Sequence, residues 1–313
     1  SLFISYLFKL DFVKNLSYGV TFAGIIQLFF LLVFTRKYYK PSLFLKTNIS
    51  SKVQFFLKKL LPSIFSSGVT QINILVGTII ASFEAGAVSY LYYADRIYQI
   101  NLAIAGIAVG TVSLPVLSKS LKLKKFGNVK NIQNKSIELC LLLSVPASLG
   151  LILASEEIIN ALFGYGSFTN SDVTMTAKAL KYFGYGIPAF ALIKVLSNFY
   201  FARDNTKTPF YLSLFSVVLN IAISLLLFKK IGFIIIPIAT SISTWLAVIL
   251  YFILLGKSKF LFFENLPLYN FFKIIFCTFI MSFVLYYGLS FFEDKLAYDN
   301  IYKSIYLVFM IGL

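Results

Sequence analysis

The sequence predicts an all-α, polytopic transmembrane helix bundle, and three observations lead there. Hydrophobic residues make up 59% of the 313 residues and charged ones only 13%, against about 25% charged in soluble domains. Mean hydropathy is +0.85. Apolar runs of about twenty residues, the length a bilayer demands at 1.5 Å rise per residue, recur along the chain. The basic residues crowd into alternate connections between those runs.

The first run, 16–35, is apolar on every side. Residues 36–60 follow as the longest and most basic connection, in which Ile49, Val53, Phe56, Leu57 and Leu60 recur at helical spacing opposite Ser51, Lys52, Gln54, Lys58 and Lys59. That pattern predicts a helix lying among anionic headgroups, with a solvated charge run as the alternative. Pro62 opens the second run, 61–83, where a missing N–H costs nothing. Further runs fall at 86–117, 137–154, 175–202, 209–228, 231–255 and 268–292, and a ninth begins at 301. The chain opens on Ser1 and the ninth run stops at Leu313, so the expectation is a fragment cut at both ends.

Charge placement sets orientation. Connections 36–60, 117–135, 203–207 and 257–273 carry eighteen Lys or Arg, whereas 1–15, 84–87, 155–172, 229–230 and 293–303 carry six. The positive-inside rule puts the first set in the cytoplasm and the loop with Glu156, Glu157 and Asp172 outside. So read, the net charge of +16 is a membrane signal and implies no nucleic-acid partner. There is no histidine, and Cys140 and Cys277 lie in separate apolar runs, so neither a metal centre, a disulfide framework nor a cofactor is expected.

Arg96 stands out. The chain has three arginines, Arg36, Arg96 and Arg203, and Arg96 falls within a spanning run, where charge costs about 2.5 to 3.5 kcal/mol on the gentlest scale. Guanidinium offers a planar fork that grips phosphate or carboxylate, so a buried anion is the expected partner. Ser89, Tyr92, Arg96, Gln99, Ala103 and Gly106 recur every three or four residues and form one face. Asp95 lies about 100° away, and it is expected to orient a neighbouring helix, or Arg96 through water. The alternative is that Asp95 and Arg96 neutralise one another.

Other polar stripes are less specific. In the second run Ser63, Ser66, Thr70, Asn73 and Gly77 share a line, with Gln71, Thr78 and Ser82 beside it, as interhelical glue or a wet cavity wall. Lys178 and Lys181 can snorkel outward. Lys194, deeper and beyond Pro188, is either a second cavity cation or snorkels inward. Glu138 is expected to pair with Lys135. Pro115, Pro146, Pro188 and Pro237 inside runs suit helices that bend.

The stretch SGVTQINILVGTIIASFEAGAVSYLYYADRIYQINLAIAGIAVGTVSLPVLSKSL (67–121) resembles the signature of the MurJ/MviN lipid II flippases, within the multidrug/oligosaccharidyl-lipid/polysaccharide exporter superfamily. LFGYGSFT (162–169) and FYFARDNTKTP (199–209) resemble the family's outer loop and inner helix turn. The resemblance implies the carboxy-terminal portion of a two-lobed, fourteen-helix transporter lacking the first five helices. Residues 1–36 would then hold the last helix of the amino lobe and 37–60 the inter-lobe linker. The carboxy lobe of six helices would occupy 61–257, with two additional helices in 258–313, the last truncated. It further implies a flippase for lipid II, a polyprenyl-pyrophosphate-linked peptidoglycan precursor, in the bacterial inner membrane, with membrane lipids and a monovalent coupling ion as other partners. Arg96, Asp95, Tyr92, Gln99, Asn73, Gln71 and Lys194 are the candidate substrate contacts. Two positions depart from the family pattern, Gln99 where some members carry glutamate and Asn101 where many carry proline. Alternatives are an exporter of another polyprenyl-linked glycan or a drug/cation antiporter. An integral-membrane enzyme lacks the paired titratable groups its chemistry needs, and a scaffold would leave Arg96 without a purpose.

Overall fold

Helices build the whole of what the structure describes, as hydrocarbon demands of a backbone whose N–H and C=O groups can find no water. The structure is a computed structural model describing residues 12–36, 51, 53–54, 71–260, 268–300 and 302–312. The chain divides into two units, 1–59 and 60–313. In the first, α1 (Phe12–Thr35) is apolar all round. Of the expected amphipathic linker only Ser51, Val53 and Gln54 are described, and Pro62, Ser63, Ser66 and Thr70 also lie outside the described residues.

In the second unit, α2 (Gln71–Ala81) turns through 82–86 into α3 (Ala87–Leu102). A π-helical turn, Ala103–Ala108, links α3 to α4 (Val109–Lys122), and the 36 residues from Ala87 to Lys122 form one long apolar span. Asn101 leaves this helix unbroken. After α5 (Phe126–Leu153) comes α6 (Ser155–Phe163), a short amphipathic helix where the sequence predicted a loop. Nine residues are too few for its periodicity to stand out.

The fifth run is broken rather than continuous. α7 (Asn170–Gly184) and α8 (Ile187–Phe201) meet at 42°, with Pro188 in the first turn of α8, where its missing N–H is harmless. Then α9 (Lys207–Ile231) and α10 (Ile235–Lys257) pack together as a hairpin about a 3-10 turn at Gly232–Ile234. Gly232 has φ 76°, and the Glu84 carboxylate accepts from the N–H of Phe233 at 2.7 Å. That bond satisfies one of the orphan donors of a helix start. The remaining helices are α11 (Leu268–Phe291), α12 (Glu293–Leu296) and α13 (Lys303–Gly312).

Two cores hold the bundle. An outer one joins α3, α7 and the start of α10 through Tyr98, Phe183, Leu180 and Ile235, with the Tyr98 and Phe183 rings stacked at 5.4 Å. An inner one joins α4, α5, α8 and the end of α10 through Leu117, Ile137, Phe199 and Tyr251. A third cluster packs α6 against α11 and α13. Elsewhere large apolar side chains point outward, Phe276 and Phe279 on α11 at 65% and 69% exposed, as befits a surface whose solvent is lipid.

Candidate functional site

The long α3–α4 span presents one buried and one open face. Ala94, Ile97 and Tyr98, then Ala105 and Gly106, Gly110, Ser113 and Leu117 are buried. Tyr92, Arg96, Gln99, Ala103, Ile107 and Thr111 are exposed. The face read from sequence thus exists as far as Ala103. It slips beyond the π turn, where Gly106 is buried against α8.

At Arg96 the guanidinium lies 4.6 Å from the ring centre of Tyr92, one turn earlier, a cation–π contact that holds the fork without occupying its N–H donors. Among the described residues no hydrogen bond reaches those donors. Among the described residues Asp95 makes its hydrogen bond within its own helix rather than to a neighbouring one. Its carboxylate accepts from the Gln99 side-chain amide on the same helix, because residues four apart on a helix meet. Gln99 therefore engages Asp95 by a hydrogen bond, while the Arg96 fork, next to that carboxylate in the chain, keeps its donors open. Arg203 is the contrast: its guanidinium donates to the Phe199 carbonyl at 2.6 Å and the Phe260 carbonyl at 3.2 Å and covers the Phe260 ring.

The other candidates fall in two further places. The Asn73 side-chain carbonyl accepts from the Asn220 amide at 3.0 Å. Asn220 also donates to Thr240 at 3.1 Å and accepts from Ser224 at 3.1 Å. This network joins α2, α9 and α10, the glue among the two roles read for the stripe. Gln71 and Lys194 instead line one cleft of about 810 Å³ with residues of α4, α8, α9 and α10. Sequence reasoning passed over Thr111 and Ser213 in that cleft, single hydroxyls in apolar runs that give no signal.

Glu138 is corrected too. Its carboxylate accepts from Asn270 of α11 at 2.9 Å, since α5 and α11 pack side by side. Beside it a groove of about 510 Å³ runs between those helices, from Glu138 and Lys273 to Met281.

The outer loop with the LFGYGSFT motif is pinned to α3. Phe163 and Phe168 pack on Tyr93 with ring centres 4.8 and 5.4 Å away, and Tyr90 donates to Asp172 at 2.9 Å. Thr169 and Asp172 form a capping box that starts α7, satisfying two orphan N–H groups at once.

The family described as lipid II flippase MurJ matches residues 2–307. A probable lipid II flippase MurJ of Rickettsia prowazekii (strain Madrid E) is 40% identical over 233 residues, 74% of this chain and 46% of that protein. One of Haemophilus influenzae (strain ATCC 51907 / DSM 11121 / KW20 / Rd) is 29% identical over 310 residues, 95% of this chain and 60% of that protein. The chain spans about half the length of the curated relatives it matches. A solved lipid II flippase MurJ in an inward closed conformation superposes with TM-score 0.72 at 29% identity, covering 93% of this chain and 58% of that one. An outward-facing multidrug transporter of the MATE family, at 14% identity and TM-score 0.57 over 75% of this chain and 53% of that one, shares the fold.

Proposed function

Because the chain belongs to the lipid II flippase MurJ family, we propose that it is the carboxy-terminal part of a carrier that moves lipid II from the cytoplasmic to the periplasmic leaflet. The chain is a multi-pass protein of the bacterial inner membrane. The observation that carries the proposal is Arg96, exposed on a membrane-spanning helix and braced by Tyr92, with its N–H donors free of hydrogen bonds among the described residues while Gln99 donates to Asp95. A headgroup with two phosphates, sugars and a peptide cannot cross hydrocarbon unaided. A guanidinium facing a wet cavity supplies two parallel charge-assisted hydrogen bonds to such a pyrophosphate, while the polyprenyl tail stays in the bilayer. Residues 61–257 act in this reading as one lobe, rocking against the other to expose the site alternately to each side.

The test is made in the full-length protein, scoring survival after depletion of the chromosomal copy with protein levels checked by blot. Arg96→Ala abolishes support, and Arg96→Lys fails or is badly impaired although it keeps the charge. Full support by the lysine variant, together with full support by Asp95→Asn combined with Arg96→Gln, would overturn the anion-gripping role.

A further inference from the structure

The open face bearing Arg96 continues past the π turn into the cleft of about 810 Å³, lined among others by Gln71, Thr111, Lys194, Ser197 and Ser213. Gly106, at the cleft's near edge, is ten residues beyond Arg96, about 15 Å along an α-helical axis, so the cleft is a place apart from Arg96. The cleft lies along the first half of α4 and the second half of α8, toward the basic connections 117–135 and 203–207.

Its walls are fixed. A Cβ at Gly106 would come within 2.9 Å of the Ala191 backbone, so α8 and the π turn are in closest approach there. One turn further the buried Asn198 amide donates to the Gly110 carbonyl at 2.7 Å. Lys194 precedes Asn198 by one turn, is exposed, and its ammonium has no hydrogen bond among the described residues. Among the described residues no carboxylate lines the cleft. Pro115, also in the wall, has no N–H to close on the Thr111 carbonyl four residues back, so that carbonyl is freed as an acceptor. An unpaired ammonium beside hydroxyls and a free carbonyl suits a phosphate that carries neighbouring hydroxyl or amide donors. The volume is that of a small-molecule site, which runs to about 300–1,000 Å³.

We propose that the Lys194 cleft is a second subsite for a lipid phosphate headgroup, inward of Arg96. It rests on the carrier reading for the identity of that lipid: the headgroup docks at Lys194 from the inner leaflet before passing to Arg96.

Full-length protein in phosphatidylcholine nanodiscs, titrated with undecaprenyl pyrophosphate and read by native mass spectrometry, tests this. Wild type binds a second undecaprenyl pyrophosphate; Lys194→Gln lowers the affinity of one of the two binding events about tenfold, Lys194→Arg keeps it within about threefold, and Arg96→Ala weakens the other event independently because the sites are separate. Ser213→Leu, which fills the cleft and keeps the charge, weakens binding as well. A second arm exchanges part of the phosphatidylcholine for phosphatidylglycerol. Binding of that lipid, lost in Lys194→Gln while undecaprenyl pyrophosphate is unaffected, supports the phosphate site with a bilayer lipid as its occupant. Wild-type binding of both lipids by Lys194→Gln and Ser213→Leu overturns the subsite. If Arg96→Ala still weakens undecaprenyl pyrophosphate binding, only this inference falls. If it does not, the carrier reading falls as well.

Discussion

The ammonium of Lys303 donates to the side-chain carbonyl of Asn160 at 2.9 Å, joining the start of α13 to α6. It also donates to the backbone carbonyls of Gly164 at 2.7 Å and Tyr298 at 2.8 Å. The rings of Tyr165 and Tyr298 lie 4.3 and 4.7 Å from it. Lys303 is only 1% exposed, yet the acceptors around it are neutral. Three oxygens and two ring faces take the place of water, with the Asp299 carboxylate acting on the ammonium from further off.

Lys303→Met therefore strands three buried acceptors and costs about 3 kcal/mol. Thermal unfolding of the full-length protein in detergent measures this. A methionine variant that melts with the parent would mean the clamp contributes nothing. Nearby hydrogen bonds from Ser304 to Ala161 and between Tyr165 and Ser304 remain in either case.

Glu157 on α6 gives a pH test. Burial, chiefly, raises its carboxyl pKa, with Glu156 and Glu293 adding repulsion, and one carboxylate oxygen is buried without a hydrogen-bond partner. A raised folded-state pKa means the group favours folding below the ordinary carboxylate range and loses that contribution as pH climbs through the raised value. Glu157→Gln should accordingly melt higher than the parent at pH 7, and the gap should close as pH falls toward about 4. A gap constant with pH would refute the assignment.

Gln99 and Asp95 predict a compensating pair. Replacing Gln99 with leucine frees the Asp95 carboxylate to compete for Arg96, weakening undecaprenyl pyrophosphate binding severalfold. Adding Asp95→Asn removes the competitor and restores it. Equal binding by Gln99→Leu and the parent would show that the amide does not shield Arg96.

Orientation is tested by impermeant thiol labelling of intact cells, with Cys277, which is exposed, first replaced by serine. Ser167→Cys in the exposed outer loop should label, and Phe126→Cys at the start of α5 should label only after the cells are opened. Reversed labelling would reverse the proposed direction of transport.

The spans were legible because hydropathy over twenty residues is a large signal, and the positions of α1, α9, α10 and α11 follow it closely, whereas α5 begins eleven residues before its apolar run, within the basic stretch read as a connection. Features resting on one or two bonds were not. Asp95 and Gln99 stand four apart, a spacing plain in the sequence, but the residue beside Arg96 drew attention to the adjacent charge instead. Lys303 reads as one more basic residue at a helix end, and only its neighbours from 140 residues away make it a clamp. Pro188 announced a bend, though the break falls just before it, at Tyr185 and Gly186. The separation of Asn73 from Lys194 depends on which helices face each other, and that information is not local.

The π turn at Ala103–Ala108 carries one residue more than an α-helical turn would hold. That surplus residue sets the bearing of everything before it: without it, the segment closes as plain α-helix and Arg96 swings by about 100° relative to the walls of the cleft. A one-codon deletion among these six small and apolar side chains would leave every charged residue in place and the hydropathy unchanged. In a genetic screen it would nevertheless behave as a lesion of Arg96, because the guanidinium would be intact and aimed the wrong way.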